Sequence, residues 1–172
     1  DRADQLLESI HAFGQQTCGS FKVLILNTGK KLNQSDSDKI HSFLEGIASK
    51  VDIVDLEGIQ QDQHISDSRN ELIRQCKTKY LLFFDDDDVP LPQYLFELTR
   101  VAENADADIV TTFCYNVHAE EQWDDFSKGT LDMATLPVSM VNGLSGGFNF
   151  FQHFTGKAAM LVRTSLARSV GG

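Results

Sequence analysis

One stretch, from Tyr80 to Pro92, constrains the fold of this chain more than any other. It opens with five apolar residues, Tyr80 to Phe84, and a short apolar run with aromatic side chains is typical of a buried strand. Four aspartates, Asp85 to Asp88, follow at once. Pro92 suits the first position of the next helix, where its missing N–H costs nothing. The stretch therefore predicts a buried strand that delivers acid groups to its carboxyl end, where ligands bind in open α/β sheets.

The four aspartates admit two interpretations. Neighbouring carboxylates repel one another, and a hard divalent cation relieves that repulsion because carboxylate oxygens suit magnesium, manganese and calcium. The alternative is a solvated acidic turn that also caps the next helix, since aspartate favours the N-cap position. The buried strand before the aspartates favours the ligand site. An EF-hand calcium loop does not match, because it needs spaced acids, a glycine at the sharp turn and a closing glutamate.

Net charge and cysteine usage narrow the class of protein. A net charge of -10 over 172 residues argues against a nucleic-acid partner, because phosphate contacts need a basic surface. Cys18, Cys76 and Cys114 have no CxxC spacing and are typical of reduced thiols in the cytoplasm. No apolar run approaches the length of a transmembrane helix. We therefore expect a cytoplasmic chain without a transmembrane segment, which could reach the inner face of a membrane only through other parts of the protein.

Strand and helix patterns alternate along the chain, and its length predicts one domain, residues 1–172. The start without Met and the end at Gly172 predict that this domain is incomplete at both ends. Strands are expected at residues 21–26, 51–56, 80–84, 108–112 and 158–162, and helices at residues 3–16, from Ser35 or Asp36, and at 66–76, 92–104 and 165–169. This order predicts an α/β fold, with a doubly wound, mostly parallel sheet and helices on both faces.

Two motifs resemble the family 2 glycosyltransferases of the GT-A fold. Ser68-Arg69-Asn70 is similar to that family's Ala-Arg-Asn-like tripeptide at a helix start, and residues 79–95 match its apolar strand, Asp-x-Asp-Asp signature and following proline. Residues 1–17 are similar to the segment after the family's first strand, and residues 156–163 with 170–172 to a later strand and Arg-containing turn. The resemblance covers nearly the whole chain. It implies a Rossmann-like GT-A sheet whose first strand would precede Asp1.

The resemblance also implies an activity. It predicts inverting transfer of a sugar from a nucleotide-diphosphate donor, a UDP-sugar, to a hydroxyl of a saccharide, lipid-linked or protein acceptor, as in polysaccharide biosynthesis. It implies Mn2+ or Mg2+ as cofactor. Its motif assigns Asp87 and Asp85 to the metal, Asp85 and Asp86 to the nucleotide, and Arg69 to a place near the phosphates.

Two departures from the family pattern leave parts of this assignment open. Asn27 and Thr28 stand where the family carries an Asp-Asp pair at the nucleotide base, so the identity of the base stays open. The family's general base lies beyond the position of Gly172, so no catalytic residue is assigned. A non-catalytic nucleotide-sugar or metal-binding module of the same fold is the main alternative. A receiver-like domain and a nucleotidyltransferase are less favoured, because the acids or glycine-rich loop that they need near a first strand are missing.

Several other residues keep two interpretations each. His153 lies in a glycine-rich aromatic segment and either lines an acceptor pocket or packs structurally. Trp123 either stacks on a sugar or anchors a loop. Arg163 either pairs with a carboxylate or approaches the diphosphate. The remaining histidines are expected at the surface or in packing; they are His11, His41, His64 and His118.

Overall fold

A computed structural model of the chain describes residues 2–18, 20–26, 34–45, 51–54, 65–85, 88–115, 125, 128–135, 138–140 and 160–171. Its backbone contacts group the chain into two compact units, Asp1–Val110 with Leu161–Gly172, and Thr111–Met160. The helices are α1 Arg2–Gly14, α2 Gln34–Glu45, α3 Ile65–Gln75, α4 Tyr94–Asn104 and α5 Thr164–Ser169, with a 3-10 turn at Met133–Thr135. The strands are β1 Val23–Leu26, β2 Val51–Val54, β3 Tyr80–Phe83, β4 Ile109–Thr111, β5 Phe113–Tyr115, β6 Val138–Met140 and β7 Met160–Arg163.

The pairing of the strands agrees in part with the predicted doubly wound sheet. Strand β1 pairs in parallel with β2, with Val23 opposite Val51 and Leu26 opposite Val54. A parallel pair needs a long crossover, and α2 lies between the two strands in sequence. In a second sheet, β7 lies between β3 and β4. Strands β5 and β6 form an antiparallel pair that the sequence pattern did not predict. The α/β alternation is confirmed, and the mostly parallel character of the whole sheet stays a prediction.

Two hydrophobic clusters hold the described part of the first unit together. Ile10 of α1, Ile25 of β1 and Ile40 of α2 form one cluster, with Leu6, Leu7 and Val23 packed against it. Leu98 and Ala102 of α4 form the other cluster with Leu161 of β7. Burying one such aliphatic side chain stabilises the fold by about 1.5–3 kcal/mol. The apolar spacing in residues 3–16 therefore identified the buried face of α1 correctly.

Two predicted helix starts were wrong, and the clearer case is Pro92. Helix α4 begins at Tyr94, and Pro92 lies in the preceding turn. The Tyr94 N–H donates to the Leu91 carbonyl oxygen at 2.9 Å, which makes Pro92 the second residue of a four-residue turn. The proline φ suits that position, and Gln93 at φ -97° and ψ 4° has the conformation of the third residue of a type I turn.

The second wrong start concerns α2. Ser35 and Asp36 were both candidates to cap this helix, yet α2 begins at Gln34, so both residues lie inside its first turn. An oxygen-bearing side chain can occupy the first turn of a helix as well as its cap, so the residue type alone does not separate the two positions.

No helix in the described ranges is long and apolar enough to cross a membrane.

Candidate functional site

The carboxyl end of β3 brings two predicted site residues together. Arg69 of α3 places its guanidinium 3.7 Å from the carboxylate of Asp85, nitrogen to oxygen. The guanidinium carbon also lies 5.5 Å from the ring centroid of Phe83, within the range of a cation–π contact. The two charged side chains keep 39% and 43% of their surface exposed. A cation and a carboxylate therefore stand side by side at the end of a strand, and both remain accessible to a ligand.

Helix α3, which carries Arg69, is held at its C-terminus by α5. The Arg168 guanidinium donates to the carbonyl oxygens of Ile73 at 3.2 Å and Arg74 at 3.3 Å, and also to that of Cys76. The last carbonyl groups of a helix have no partners within the helix, and a cation there also interacts favourably with the helix dipole. Arg168 thus fixes the position of the helix from which Arg69 extends.

The described ends of the acidic stretch are Asp85 and Asp88, while Asp86 and Asp87 lie outside the described residues. The Asp88 N–H donates to the Asp85 carbonyl oxygen at 3.3 Å. The Asp88 carbonyl oxygen in turn accepts a hydrogen bond from the hydroxyl of Ser9, a buried residue of α1. The backbone on both sides of the two central aspartates is therefore tied to its surroundings.

An aromatic group supports the residue that immediately precedes Asp85. The ring of Phe84 meets that of Phe13 of α1 edge-on, with centroids 5.0 Å apart, and lies 5.8 Å from the ring of Tyr94. Phe13 also contacts Phe21, which precedes β1. Aromatic pairs in such geometry contribute about 0.5–1.5 kcal/mol each beyond the area they bury. Helix α1, β3 and α4 thus meet at Phe84.

The first turn of α4 is capped by a residue distant in sequence. The Leu95 N–H donates to Oε1 of Gln16 at 3.0 Å, and Nε2 of Gln16 donates to the Leu91 carbonyl oxygen at 2.7 Å. Gln93 is the N-cap residue, and within the described residues its side chain makes no capping hydrogen bond. The interpretation that the aspartate run caps this helix, with Asp88 as the best placed, is therefore wrong.

Sequence reasoning missed both Ser9 and Gln16. Ser9 is a polar residue on α1 and Gln16 follows the end of that helix, and each binds backbone atoms 75 to 79 residues away. No local pattern connects residues at that separation. The one available signal was a polar residue at a position that helical periodicity places near the buried face of α1.

Arg163 pairs with carboxylates of the chain, which is the structural one of the two roles that the sequence left open. Its guanidinium binds the carboxylates of Asp106 at 2.7 Å and Asp108 at 2.5 Å, and lies 5.3 Å from the ring centroid of Tyr80. The hydrogen bonds that Arg163 donates, first to Asp108 and then to Asp106, raise the pKa of its guanidinium. The donors of this guanidinium are therefore engaged by strand and turn residues of the chain itself.

The remaining predicted positions divide into two groups. His11 is exposed on α1, in agreement with a surface residue, and His41 lies on α2. Outside the described residues lie Asn27, Thr28, His64, Asp86, Asp87, His118, Trp123 and His153. The assignments made for this second group stay predictions.

A hard divalent cation fits the donor chemistry of the strand end. Asp85 offers a half-exposed carboxylate, and oxygen ligands of this kind suit Mn2+ and Mg2+. Among the residues that the structure describes, no three His, Cys, Asp or Glu side chains group into a metal site. The predicted metal site includes Asp87, which lies outside that part of the chain, so it stays a prediction.

One of the comparisons with known proteins identifies a family. Residues 1–166 match the family described as "Glycosyl transferase family 2". No curated protein matches the sequence. Of 36 matching chains among solved structures, one is the crystal structure of S. aureus TarS 1–349, with a TM-score of 0.67 and 15% sequence identity. The match covers 98% of this chain and 46% of that one, so the chain spans about half the length of that structure. At this identity the likeness shows a shared fold alone.

Proposed function

The chain belongs to glycosyl transferase family 2, and we propose that it binds a UDP-sugar for inverting transfer of the sugar to an acceptor hydroxyl. The observation that carries the proposal is the pairing of Arg69 with Asp85 at the carboxyl end of β3, 3.7 Å apart and half exposed. That strand end is where an open α/β sheet binds its ligand. The pair offers a cation for the diphosphate and a carboxylate for its metal ion.

Arg69 is suited to the phosphates of the donor. A guanidinium presents five N–H donors in a rigid fork that matches phosphate oxygens. Its contact with Asp85 is solvent-exposed, and exposed ion pairs contribute only about 0–1 kcal/mol, so a phosphate can replace the carboxylate at little cost. The ring of Phe83 remains beneath the guanidinium and keeps it oriented.

The acidic residues supply the complementary half of the proposed site. Asp85 and Asp87 would hold Mn2+ or Mg2+, and Asp86 would lie against the ribose. When bound, such a cation stabilises the negative charge that grows on a diphosphate leaving group. A protein with a net charge of -10 needs this local neutralisation to accept an anionic ligand. Asn27 and Thr28 would contact the nucleotide base, where an amide replaces the carboxylate usual in the family.

A second function of the same site is supported by Asn27. If the amide at the base position marks a chain that binds nucleotide sugar without transferring it, the fold and the donor site would be kept while turnover is lost. Inversion needs a carboxylate that deprotonates the acceptor hydroxyl, and no described residue is assigned to that step. Only a transfer assay, with a saccharide, lipid-linked or protein acceptor, distinguishes the two functions.

Calorimetry with UDP, in Mn2+ and in EDTA, tests the proposed donor site. We expect UDP and Mn2+ to bind cooperatively, because without metal the diphosphate meets uncompensated carboxylates. ADP and GDP in the same buffer serve as controls for the choice of base. Equal affinity for UDP in Mn2+ and in EDTA would overturn the metal-assisted site. Tighter binding of ADP or GDP would overturn the choice of UDP while keeping the site.

A further inference from the structure

Helix α1 and the residues that follow it hold the chain segment after the acidic stretch at several separate points. Ser9 donates its hydroxyl to the Asp88 carbonyl oxygen. Seven residues further along, beyond the end of the helix, Gln16 bonds both Leu91 and Leu95. The backbone N–H of Thr17 donates to the Pro92 carbonyl oxygen at 2.9 Å. Residues 88–95 are therefore attached to residues 9–17 along their whole length.

The two side chains that make these attachments are themselves immobilised. Ser9 has an exposed fraction of 4% and Gln16 of 8%. A polar group buried to that extent costs free energy unless its hydrogen bonds are made. Breaking the hydrogen bonds of Ser9 or Gln16 while the side chain stays buried would therefore be unfavourable. Ile10, next to Ser9, lies in the cluster with Ile25 of β1 and Ile40 of α2. Ser9, the anchor point on α1, thus lies next to a residue of the core.

We propose that Ser9 and Gln16 are positioning residues for the donor site, an inference that rests on the proposed function. Neither residue would touch the nucleotide or the metal. Ser9 fixes the backbone of Asp88, whose N–H binds the Asp85 carbonyl oxygen, and Gln16 fixes the turn that follows. On the other side of the acidic stretch, Asp85 is contacted by Arg69. The described ends of the acidic stretch, Asp85 and Asp88, are thus held in place before ligand arrives, which lowers the cost of ordering the donor site on binding.

The first variant that tests this inference is Ser9→Ala. We expect its affinity for UDP in Mn2+ to fall about 3- to 10-fold, the range that loss of one net hydrogen bond corresponds to. The matched control is Thr78→Val. Thr78 donates its hydroxyl to the Tyr80 carbonyl oxygen at 2.6 Å, so it makes the same kind of bond at the opposite end of β3. This control should bind UDP in Mn2+ like the parent even if its melting temperature falls.

The second variant, Gln16→Met, keeps nearly the same side-chain volume and removes the bonds to Leu91 and Leu95. It should weaken UDP binding in Mn2+ over the same range, while the affinity for UDP in EDTA changes little in either variant. A residue that matters only for stability would not change the Mn2+-dependent part of the affinity selectively. If the Ser9→Ala variant does not fold, the affinity of the Gln16→Met variant for UDP in Mn2+ decides whether the positioning role holds.

The outcomes separate this inference from the function on which it rests. A parent protein that binds UDP in Mn2+, together with Ser9→Ala and Gln16→Met variants that bind it equally well, would overturn the positioning role and keep the donor site. Equal weakening by Thr78→Val would also overturn it, because a general loss of stability would then explain the effect. A parent protein that does not bind UDP in Mn2+ would overturn the proposed function, and this inference with it.

Discussion

Gln16 accepts a hydrogen bond from the backbone N–H of Leu95 at 3.0 Å and so caps a helix that begins 78 residues after it. A helix start is usually capped by the residue that precedes it, whereas Gln93 makes no such bond in the part of the chain that is described. The same Gln16 side chain holds the Leu91 carbonyl oxygen. One buried amide therefore serves both the Leu95 N–H and the Leu91 carbonyl oxygen, which also accepts the Tyr94 N–H within the turn.

The Gln16→Ala variant should lower the stability of the protein. It removes the side-chain hydrogen bonds of Gln16, including those to Leu91 and Leu95, and leaves a helix N–H without its cap. We expect a loss of about 1–3 kcal/mol in the free energy of unfolding. Urea denaturation measures this loss. The neighbouring Gln15 has an exposed side chain, so Gln15→Ala is the matched control and should be nearly neutral. Equal effects of the two substitutions would contradict the capping role.

The Arg69→Ala variant should weaken UDP binding in Mn2+ by about 10-fold or more, because a charge-assisted, bidentate contact to phosphate is lost. Arg69→Lys should recover only part of the affinity, since an ammonium group lacks the planar fork. Arg74 lies on the same helix, pairs with Glu71 and is well exposed, which makes Arg74→Ala the control for loss of one positive charge. Calorimetry that finds the same reduction for Arg69→Ala and Arg74→Ala would refute a specific contact.

The four aspartates should not be equivalent. Asp87→Asn should abolish most Mn2+-dependent binding of UDP and leave the metal-free melting temperature unchanged or higher, because repulsion between neighbouring carboxylates falls. Asp88→Asn should reduce that binding less, because Asp88 is not assigned to the metal and asparagine retains the backbone atoms that bond Ser9 and Asp85. Melting curves with and without Mn2+ and UDP compare the variants. Identical ligand-induced shifts of the melting temperature for Asp87→Asn and Asp88→Asn would exclude Asp87 as a metal ligand.

The Arg163→Leu variant should be less stable than the parent but bind UDP in Mn2+ with the same affinity. Its guanidinium is engaged by Asp106, Asp108 and the ring of Tyr80, and the variant leaves the two carboxylates without their shared cation. A melting curve and a calorimetric titration on the same preparation separate the two effects. Loss of UDP affinity with an unchanged melting temperature would instead place Arg163 at the diphosphate.

The effect of Glu8→Gln on the melting temperature should depend on pH in a defined direction. Burial raises the pKa of the Glu8 carboxyl above its ordinary value of 4.5, and His11 offsets part of that rise. A group with a raised pKa in the folded state contributes stability below its unfolded pKa and loses it as the pH rises through its folded pKa. The variant should therefore melt higher than the parent at about pH 7, and the difference should shrink as the pH approaches 4.5. A difference independent of pH would contradict the desolvation of Glu8.

The elements of this fold that depend on local spacing could be predicted from the sequence. The apolar run from Tyr80 predicted strand β3, and the alternation of strand and helix patterns predicted the α/β class. The bounds of α1 and α3 and the end of α4 were predicted to within two residues, because apolar positions recur with the period of a helix. The motifs around Arg69 and Asp85 predicted the family. Each of these signals lies within a few residues of the feature that it predicts.

Tertiary structure alone decided which polar groups meet. Arg69 and Asp85 are 16 residues apart in sequence, Arg163 lies 55 and 57 residues from its aspartates, and Gln16 lies 79 residues from the N–H that it caps. Hydrogen bonds and ion pairs are short-ranged and have no sequence period, so a polar residue carries no local sign of its partner. Phe13 of α1 packs against Phe84 at the end of β3, and this packing brings Ser9 and Gln16 within reach of backbone groups after the acidic stretch.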